Sequence, residues 1–286
     1  MFRSVRYAPA KINLGLEILG KRSDGFHEIN TLFLPVTFCD ILEVSENKEL
    51  TLECSPSLGI LPKDNIIMKA ADALRRATGA RSGAYIRLKK NIPQGAGLGG
   101  GSSDAATALQ ALNEIWQTCL SDDELREIAA QIGSDVPFFI SKTAALGRGR
   151  GEHIELVEIN LDYGIVIVQP NVAVSTAWAY NSALPATFCD KPSQFEEIIR
   201  EIPAGEWRNY IFNDFEQGVF RRYPQIEVAK RLLYEAGAEF ALMSGSGSCV
   251  FGLFADRERA NSVANSFHNG YFCRQWTAED LSEQNS

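Results

Sequence analysis

A glycine-rich segment in the first half of the chain limits most strongly what this sequence can fold into. It reads PQGAGLGGGSS over residues 93–103 and is followed by Asp104, with five glycines between residues 95 and 101. Glycine lets the backbone adopt positive φ angles and approach a ligand closely. The N–H groups of such a loop, with the N-terminus of a following helix, form a site for phosphate oxygens. The segment therefore predicts phosphate binding, because a plain turn capped by serine rarely needs so many glycines.

The segment fits one common nucleotide motif only in part. Residues 95–100 match G-x-G-x-x-G, and a strand precedes them. That strand, YIRLK at 85–89, alternates polar and apolar residues, whereas the central strand of a dinucleotide fold is almost continuously apolar. No G-x-x-x-x-G-K-[ST] motif occurs either. A dinucleotide-dependent oxidoreductase is therefore a remote alternative.

The composition is that of a globular protein with an excess of acidic residues. The 286 residues are 45% hydrophobic and 22% charged, and 28 basic against 36 acidic side chains give a net charge of −8. Such a chain can bury a core of ordinary size in one large domain or two modest ones. Because an acidic surface disfavours general nucleic-acid binding, we expect no nucleic-acid partner.

The sequence shows no sign of a membrane segment, a disulfide framework or a metal site. No apolar stretch follows residues 1–7, and the longest clean apolar run, Ile165–Val168, is far too short to span a membrane. Six scattered cysteines without a C-x-x-C motif predict buried free thiols in a reducing cytoplasm. Three histidines without metal-ligand spacing argue against a transition-metal site.

Hydrophobic periodicity predicts strands and helices in both halves of the chain. The predicted strands lie at 12–18, 31–44, 85–89, 165–168, 240–243 and 249–254. The predicted helices lie at 66–79, 105–116, 121–133, 196–201, 212–221, 227–236 and from about 256. This mixture indicates an α/β chain, and we place a domain boundary near Asn160, which gives an N-terminal domain of residues 1–160 and a C-terminal domain of residues 161–286.

A lysine interrupts an apolar alternation near the start of the chain. Residues 8–14 read APAKINL, and Lys11 and Asn13 share one face of the predicted strand. A lysine in a strand usually points to solvent. The small neighbouring residues also suit close approach to a ligand.

Two further segments have both a plain structural interpretation and a chemical one. Asp135 in GSDVP, at 133–137, can cap a short helix that has proline in its first turn, or it can act as a carboxylate base. The Gly-Ser-Gly of residues 245–247, between two apolar strands, suits either a hairpin turn or contact with an anion. The residues alone leave both questions open.

Together these segments resemble the GHMP kinase superfamily. The resemblance rests on residues 8–14, on KRSDGFHE at 21–28, on the glycine segment, on GSDVP and on Gly-Ser-Gly, in that order. It implies a two-domain α/β (α+β) fold, with an N-terminal domain like ribosomal protein S5 domain 2 and a ferredoxin-like C-terminal domain. It also implies ATP as the phosphoryl donor and a small-molecule alcohol as the acceptor.

The resemblance implies a role for each matching residue. Asp135 would take the proton of the acceptor hydroxyl, and Lys11 would stand beside it and favour the ionised forms. The residues expected to bind ATP are Pro93, Gln94, Gly95, Ala96, Gly97, Leu98, Gly99, Gly100, Gly101, Ser102, Ser103 and Asn65. The residues expected to bind the acceptor are Asn13, Phe26, His27, Tyr180, Gly245, Ser246 and Gly247.

The DGFH residues and the triple glycine are similar to one branch of the superfamily. Its members phosphorylate the 2-hydroxyl of a cytidine-diphosphate sugar alcohol during isoprenoid precursor synthesis. Phe26, where many members have tyrosine, would then stack on the cytosine ring together with Tyr180. Mg²⁺ is expected with no ligand assigned, since Asp104 is the only carboxylate beside the glycine segment.

Other interpretations remain open from the sequence. One is another small-molecule GHMP kinase of the mevalonate or homoserine type, which the DGFH residues disfavour. The second is a ligand sensor without catalysis, which the presence of both Lys11 and Asp135 disfavours. In each case we expect small-molecule partners, no membrane, and a monomer or weak homodimer.

Overall fold

Two β-sheets, one from each half of the chain, form the frame of the fold. The computed structural model describes residues 3–183, 192–277 and 279–280. The strands are β1 (Arg3–Lys21), β2 (His27–Asn47), β3 (Leu50–Ser55), β4 (Gly83–Lys89), β5 (Ala145–Arg148), β6 (His153–Leu156), β7 (Gly164–Val168), β8 (Phe240–Met243), β9 (Val250–Phe254) and β10 (Gly270–Cys273). The helices are α1 (Ile66–Thr78), α2 (Gly100–Ile115), α3 (Asp122–Ala130), α4 (Phe138–Ser141), α5 (Thr176–Ser182), α6 (Phe195–Glu201), α7 (Glu216–Arg222), α8 (Pro224–Glu235) and α9 (Arg257–Ser266), with 3₁₀ helices at Pro62–Asp64 and Ala204–Asn209.

The first sheet is built around a long antiparallel hairpin. β1 pairs with β2 along most of its length. The remaining neighbours in the sheet follow the order β3-β4-β2-β5-β6. Apolar residues of α1 and α2 join those of β2 and β4 in one buried cluster. In β4, Arg87 and Lys89 are exposed while Ile86 and Leu88 are buried, as the alternation predicts.

The second sheet has the ferredoxin-like arrangement that the resemblance implies. Its four strands are antiparallel and lie in the order β10-β7-β9-β8, which is 4-1-3-2 in chain order. Apolar residues of α8 and α9 pack together with the strands in a buried cluster. The element order is therefore the split βαβ pattern, βαββαβ, with additional helices between β7 and β8.

Local signals in the sequence place three of the helix ends correctly. The side chain of Asn65 accepts a hydrogen bond from the backbone N–H of Ile67 at 2.9 Å, and Gly79 ends α1 with φ of 74°. Ser121 and Glu124 form the predicted capping box at the start of α3. In each case the capping residue is specified within one turn of chain.

The helix predicted at 212–221 is wrong over its first residues, because α7 begins at Glu216. The backbone of this stretch bonds to β1 instead: Leu16 donates to the carbonyl of Phe212, and Asp214 donates to the carbonyl of Leu16. These tertiary hydrogen bonds compete with the helical ones, and hydrophobic periodicity does not register them.

One buried cluster joins the two halves of the chain. Ile12 and Leu14 of β1 pack with Ile165 of β7 and Phe251 of β9, and all four side chains are fully buried. Burial of each such side chain contributes about 1.5–3 kcal/mol. The boundary expected near residue 160 falls between β6 and β7, where the chain leaves the first sheet. As a domain boundary it stays a prediction, because both halves contribute to this core.

The cysteines of the described residues are free thiols, but not all are buried. Cys249 and Cys273 are buried as predicted, while Cys39 and Cys54 are partly exposed. The prediction is wrong for Cys119, which is exposed because it lies in the turn after α2. Cys189 lies outside the described residues. Of the helices just given, none combines the length and the apolar character needed to cross a membrane.

Candidate active site

A cleft of about 340 Å³ opens between the two halves of the chain. Its walls come from the glycine segment, from β1 and β2, from α5 and from the loop between β8 and β9. Its lining residues are Lys11, Asn13, Leu16, Ile29, Phe33, Ile66, Pro93, Gln94, Gly95, Ala96, Gly97, Gly99, Gly100, Gly101, Ser102, Asp135, Arg150, Thr176, Tyr180, Phe215, Gly245 and Ser246.

The glycine segment packs so closely on the loop after β8 that one position excludes any side chain. At Gly97, φ is +80°, and a Cβ atom would lie 2.0 Å from the carbonyl oxygen of Ser244. Gly99, with φ of +69°, is the N-cap of α2, and no side chain of the described residues caps this helix. The helix begins at Gly100, five residues before its predicted start. Its first N–H groups therefore remain available to phosphate oxygens.

Lys11 is a buried lysine whose ammonium group reaches the cleft. Its Nζ donates to Oδ1 of Asn13 at 2.5 Å and to the carbonyl oxygen of Gly97 at 2.9 Å. It also lies 5.4 Å from the centre of the Phe33 ring. Burial lowers the pKa of Lys11, and the carboxylate of Asp135 offsets part of that effect. The exposure to solvent that is usual for a strand lysine is therefore not found, because β1 is covered on both faces.

Asp135 stands opposite Lys11 in the cleft. Its Oδ2 lies 4.0 Å from Nζ of Lys11, and its side chain is 34% exposed, so the carboxylate is open to a ligand. The helix-capping interpretation of this residue does not hold. α4 begins at Phe138 after Pro137, and no side chain of the described residues caps it. The carboxylate is thus available for chemistry.

A chain of hydrogen bonds holds Lys11 in place. Asn13 accepts from Lys11 through Oδ1 and donates through Nδ2 to the hydroxyl of Thr31 at 2.8 Å. Ser244 donates to the carbonyl of Gly97 at 2.9 Å and accepts from the backbone N–H of Asn13 at 3.3 Å. Both ends of the Asn13 amide therefore have protein partners, and its contact with an acceptor stays a prediction.

Tyr180 gives the cleft an aromatic wall. Its ring stacks on the imidazole of His27, with centroids 4.9 Å apart and 18° between the planes, and Phe215 meets it edge-on at 4.8 Å. Burial, with a smaller contribution from Asp135, raises the pKa of Tyr180 to about 12. The phenol is therefore neutral over the physiological range. Burial and the charge of Lys21 lower the pKa of His27.

Phe26 lies at the exposed edge of this region. Its side chain is 52% exposed, and the guanidinium of Arg150 lies 4.6 Å from the ring centre, within cation–π distance. In this arrangement His27, and not Phe26, stacks on Tyr180. The expected contact of Phe26 with cytosine stays a prediction.

The structure brings most of the predicted site residues to the cleft. Lys11 and Asp135 both line it, and so does the glycine segment with two exceptions. Leu98 is buried in the core, and the hydroxyl of Ser103 is buried with no hydrogen-bond partner in the described part of the chain. Asn65 is also expected to bind ATP, but it does not line the cleft. Its side chain caps α1 instead.

Some of the residues expected to bind the acceptor line the cleft, and others do not. Asn13, Tyr180, Gly245 and Ser246 line the cleft. The other three do not line it: Phe26, His27 and Gly247. Of these, His27 touches the cleft through its stack on Tyr180.

Some cleft residues were not predicted from the sequence. Arg150 stands in GRGRG at 147–151, where the alternation with glycine is a signal that could have been followed. Thr176, whose hydroxyl lies 3.0 Å from that of Ser246, starts the helix that carries Tyr180. Phe33 carried no signal, because an aromatic residue in a strand is typical of a core.

Comparison with known proteins decides the family. The model of the GHMP kinases N terminal domain matches residues 65–143, and that of the GHMP kinases C terminal matches residues 188–272. A 4-diphosphocytidyl-2-C-methyl-D-erythritol kinase of Thermodesulfovibrio yellowstonii is 41% identical over 273 residues, which are 93% of this chain and 94% of that relative. The chain belongs to the 4-diphosphocytidyl-2-C-methyl-D-erythritol kinase family.

Solved structures agree with this family. A crystal structure of 4-(cytidine 5'-diphospho)-2C-methyl-D-erythritol kinase matches with a TM-score of 0.82 and 32% identity, and covers 96% of this chain and 100% of that one. Homoserine kinase from Cytophaga hutchinsonii matches with a TM-score of 0.73 at 18% identity over 96% and 95% of the two chains, which shows the fold alone. The expected GHMP kinase fold is confirmed.

Proposed function

We propose that this protein transfers the γ-phosphoryl group of ATP to the 2-hydroxyl of 4-diphosphocytidyl-2-C-methyl-D-erythritol and releases ADP, as a step of non-mevalonate isoprenoid precursor synthesis. The observation that carries the proposal is the pair Lys11–Asp135, 4.0 Å apart in the cleft that the glycine segment lines. Membership of a kinase family with near-complete coverage supports it.

Asp135 is the base of the proposed reaction. Its carboxylate accepts the proton of the acceptor hydroxyl, whose oxygen forms a bond to the γ-phosphorus while the bond from that phosphorus to the bridging oxygen of ADP breaks. The positive charge of Lys11 stabilises the charge that develops on the reacting oxygens. Because Asn13 and Gly97 already hold the ammonium group, it needs no reorientation as charge develops.

The glycine segment holds the phosphates of ATP in this proposal. Gly100, Gly101 and Ser102 line the cleft, and their backbone N–H groups and the Ser102 hydroxyl are the donors in this proposal, while the helix N-terminus adds partial positive charge. The chain as a whole carries a net charge of −8 and repels a polyanion weakly. Attraction therefore comes from this short segment and from Lys11.

The opposite part of the cleft takes the acceptor. Tyr180 offers a ring on which cytosine can stack in place of or beside the imidazole of His27. The hydroxyls of Thr176 and Ser246, 3.0 Å apart, offer hydrogen bonds to the polyol or the diphosphate. In this proposal the acceptor lies between the aromatic wall and Asp135.

We propose that Mg²⁺ enters with ATP, on its phosphates. Within residues 3–183, 192–277 and 279–280, no group of three histidine, cysteine, aspartate or glutamate side chains could hold a metal ion. Asp104, the carboxylate nearest the glycine segment in sequence, is 3% exposed and bonds to Lys90. Since Mg²⁺ keeps several waters and takes phosphate oxygens as ligands, the residues present fit an ion carried by the nucleotide, and no protein ligand is assigned.

We also propose that the protein works in the cytoplasm as a monomer or weak homodimer. The free thiols of the described cysteines fit a reducing compartment. Lys11, Asp135 and the glycine segment all line one cleft of a single chain, so one copy supplies the proposed catalytic pair together with the phosphate loop.

A coupled assay of ADP release tests the proposal. The purified protein is given ATP with 4-diphosphocytidyl-2-C-methyl-D-erythritol, mevalonate or homoserine in turn, and phosphorus NMR identifies the product. We expect turnover with the cytidine compound alone and phosphate on its 2-oxygen. Turnover of mevalonate or homoserine instead would assign a different GHMP kinase activity, and nucleotide binding without any turnover would assign a sensor.

A further inference from the structure

Behind the glycine segment lies a buried cluster of Lys90, Asp40 and Asp104, here called the lysine triad. The three side chains are 7%, 0% and 3% exposed, and none of them lines the cleft. Nζ of Lys90 donates to both aspartates, to Oδ2 of Asp104 at 2.8 Å and to Oδ2 of Asp40. The proposed chemistry gives this cluster no role.

Asp40 holds the chain where it enters the glycine segment. Its Oδ1 accepts hydrogen bonds from the backbone N–H of Asn91 at 2.6 Å and of Ile92 at 2.8 Å. These two residues directly precede Pro93, the first residue of the segment. A fully buried carboxylate of β2 thus fixes the backbone on the entry side.

Asp104 holds the chain where it leaves the segment. It lies near the start of α2, directly after Ser102 and Ser103, and its carboxylate turns back towards Lys90. The ammonium group of Lys90 would lie 2.9 Å from a Cβ atom at Gly100, so it sits against the first residue of the helix. One ammonium group therefore connects the entry and the exit of the segment.

We propose that the lysine triad is a positioning device, which fixes the two ends of the glycine segment relative to each other and so holds its N–H groups at the spacing that the phosphates of ATP require. Glycine loses more backbone freedom on ordering than any other residue and offers no side chain for packing, so the segment needs an anchor outside itself. The three side chains act through the backbone. The inference rests on the proposed function, because it takes ATP as the ligand of the segment.

The hydrogen bond from Lys90, rather than a second negative charge, is what Asp104 contributes. Burial and, less strongly, Asp40 raise the pKa of Asp104, and Lys90 lowers it, with a net value well above the usual range. Oδ1 of Asp104 has no hydrogen-bond partner in the described part of the chain. An amide that keeps the bond to Lys90 should therefore replace this carboxyl group.

Calorimetric titration of ATP into the full-length protein tests the inference, with the melting temperature and the KM for the acceptor measured in parallel. Asp104→Ala removes the bond and should weaken the Kd for ATP about tenfold, a typical loss for a charge-assisted hydrogen bond. Asp104→Asn keeps the bond and should stay within about threefold of the wild-type Kd. The KM for the acceptor should change less than about twofold in both variants, because the triad does not reach that end of the cleft.

Asp280→Ala is the matched control for Asp104→Ala. Asp280 also accepts hydrogen bonds from a cation, Arg274, and from the backbone N–H of Thr277, but these partners do not flank the glycine segment. This variant should melt at a lower temperature and bind ATP as the wild type does. The control therefore separates an effect on the stability of the whole protein from an effect on the position of the glycine segment.

The possible results discriminate between the two proposals. If Asp104→Ala melts lower but binds ATP as tightly as the wild type, the triad only stabilises the fold and the inference is overturned. Equal weakening by Asp104→Asn and Asp104→Ala also overturns it, since the hydrogen bond would then not matter. If the wild type itself binds no ATP, the proposed function fails instead. Should Asp104→Ala not fold, Asp104→Ser replaces it, because a serine hydroxyl can bond to the preceding helical carbonyl.

Discussion

Two lysine–aspartate clusters contact neighbouring glycines of the same segment, and they differ in distance and access. Lys11 lies against Gly99 and stands 4.0 Å from Asp135, which is one-third exposed. Lys90 lies against Gly100 and donates at 2.8 Å to Asp104, which is buried. Burial lowers the pKa of Lys11, and one distant carboxylate does not restore it. Burial also lowers the pKa of Lys90, but its two contacting aspartates more than offset this and leave it raised.

We infer from this difference what would suit a charged cluster in a protein interior to the proposed catalysis. A lysine whose carboxylate partner is close and buried has its charge neutralised, and the pair is a fixed part of the structure. A lysine whose partner stands apart and open to a ligand leaves both charges available to a reacting group. The predictions below test this distinction.

The largest expected effect is that of Asp135→Asn. Because the amide cannot accept the proton of the acceptor hydroxyl, kcat should fall by about 10²–10⁴ while the melting temperature stays within a few degrees of the wild type. The coupled ADP assay and a thermal melt measure both. Turnover near the wild-type rate would show that Asp135 is not the base. The proposed contrast between a catalytic Asp135 and a structural Asp104 would then fail.

Lys90→Met should act on stability. It leaves the buried carboxyl groups of Asp40 and Asp104 without the cation that donates to both, and breaking a buried ion pair in this way costs about 3–5 kcal/mol. Urea unfolding measures the loss. Lys230→Met is a suitable comparison, since the partly exposed pair Lys230–Glu216 should lose less. An equal loss of unfolding free energy in the two variants would mean that the burial of the triad does not increase its contribution to stability.

Lys11→Met should lower activity and raise stability at neutral pH. Loss of the positive charge beside the reacting oxygens should reduce kcat by about 10². Because burial lowers the pKa of Lys11, the unfolded chain binds more protons between that lowered value and 10.5, so the stability of the wild type rises with pH in this window. The advantage of Lys11→Met should therefore be full below the lowered pKa and shrink as the pH approaches 10.5. Urea unfolding at several pH values measures the stability difference between the variant and the wild type. A difference that grows with pH would contradict the predicted pH dependence.

The smallest expected effect separates two adjacent serines. Ser102 lines the cleft, whereas the hydroxyl of Ser103 is buried without a partner in the described residues. Ser102→Ala should raise the KM for ATP about fourfold, the loss of one hydrogen bond. Ser103→Ala should change it less than about twofold, because no hydrogen bond is lost. Steady-state kinetics at saturating acceptor decides, and a larger effect at Ser103 would show that its side chain turns into the cleft when ATP binds.

Much of the fold and the candidate site was predictable because it rests on local signals. The caps at Asn65 and Ser121 and the glycines before α2 act within one turn of chain, so their meaning can be read from a few residues. The motif around Asp135 likewise pointed to a carboxylate in the cleft, where the structure has it. The helix start at 212 was wrong because hydrogen bonds to Leu16, almost two hundred residues away, override the local preference.

The chain's own sequence determined that a glycine-rich segment opens a helix in an acidic α/β protein, since φ preference, capping and alternation are properties of neighbouring residues. Only the tertiary structure decided which polar residues face the cleft. It directed Ser102 into the cleft and Ser103 away from it, left Asp135 open to a ligand, and buried Asp104 against Lys90. The physical reason is that access and pKa depend on which groups lie within a few ångströms, and those groups come from strands and helices far apart in the chain.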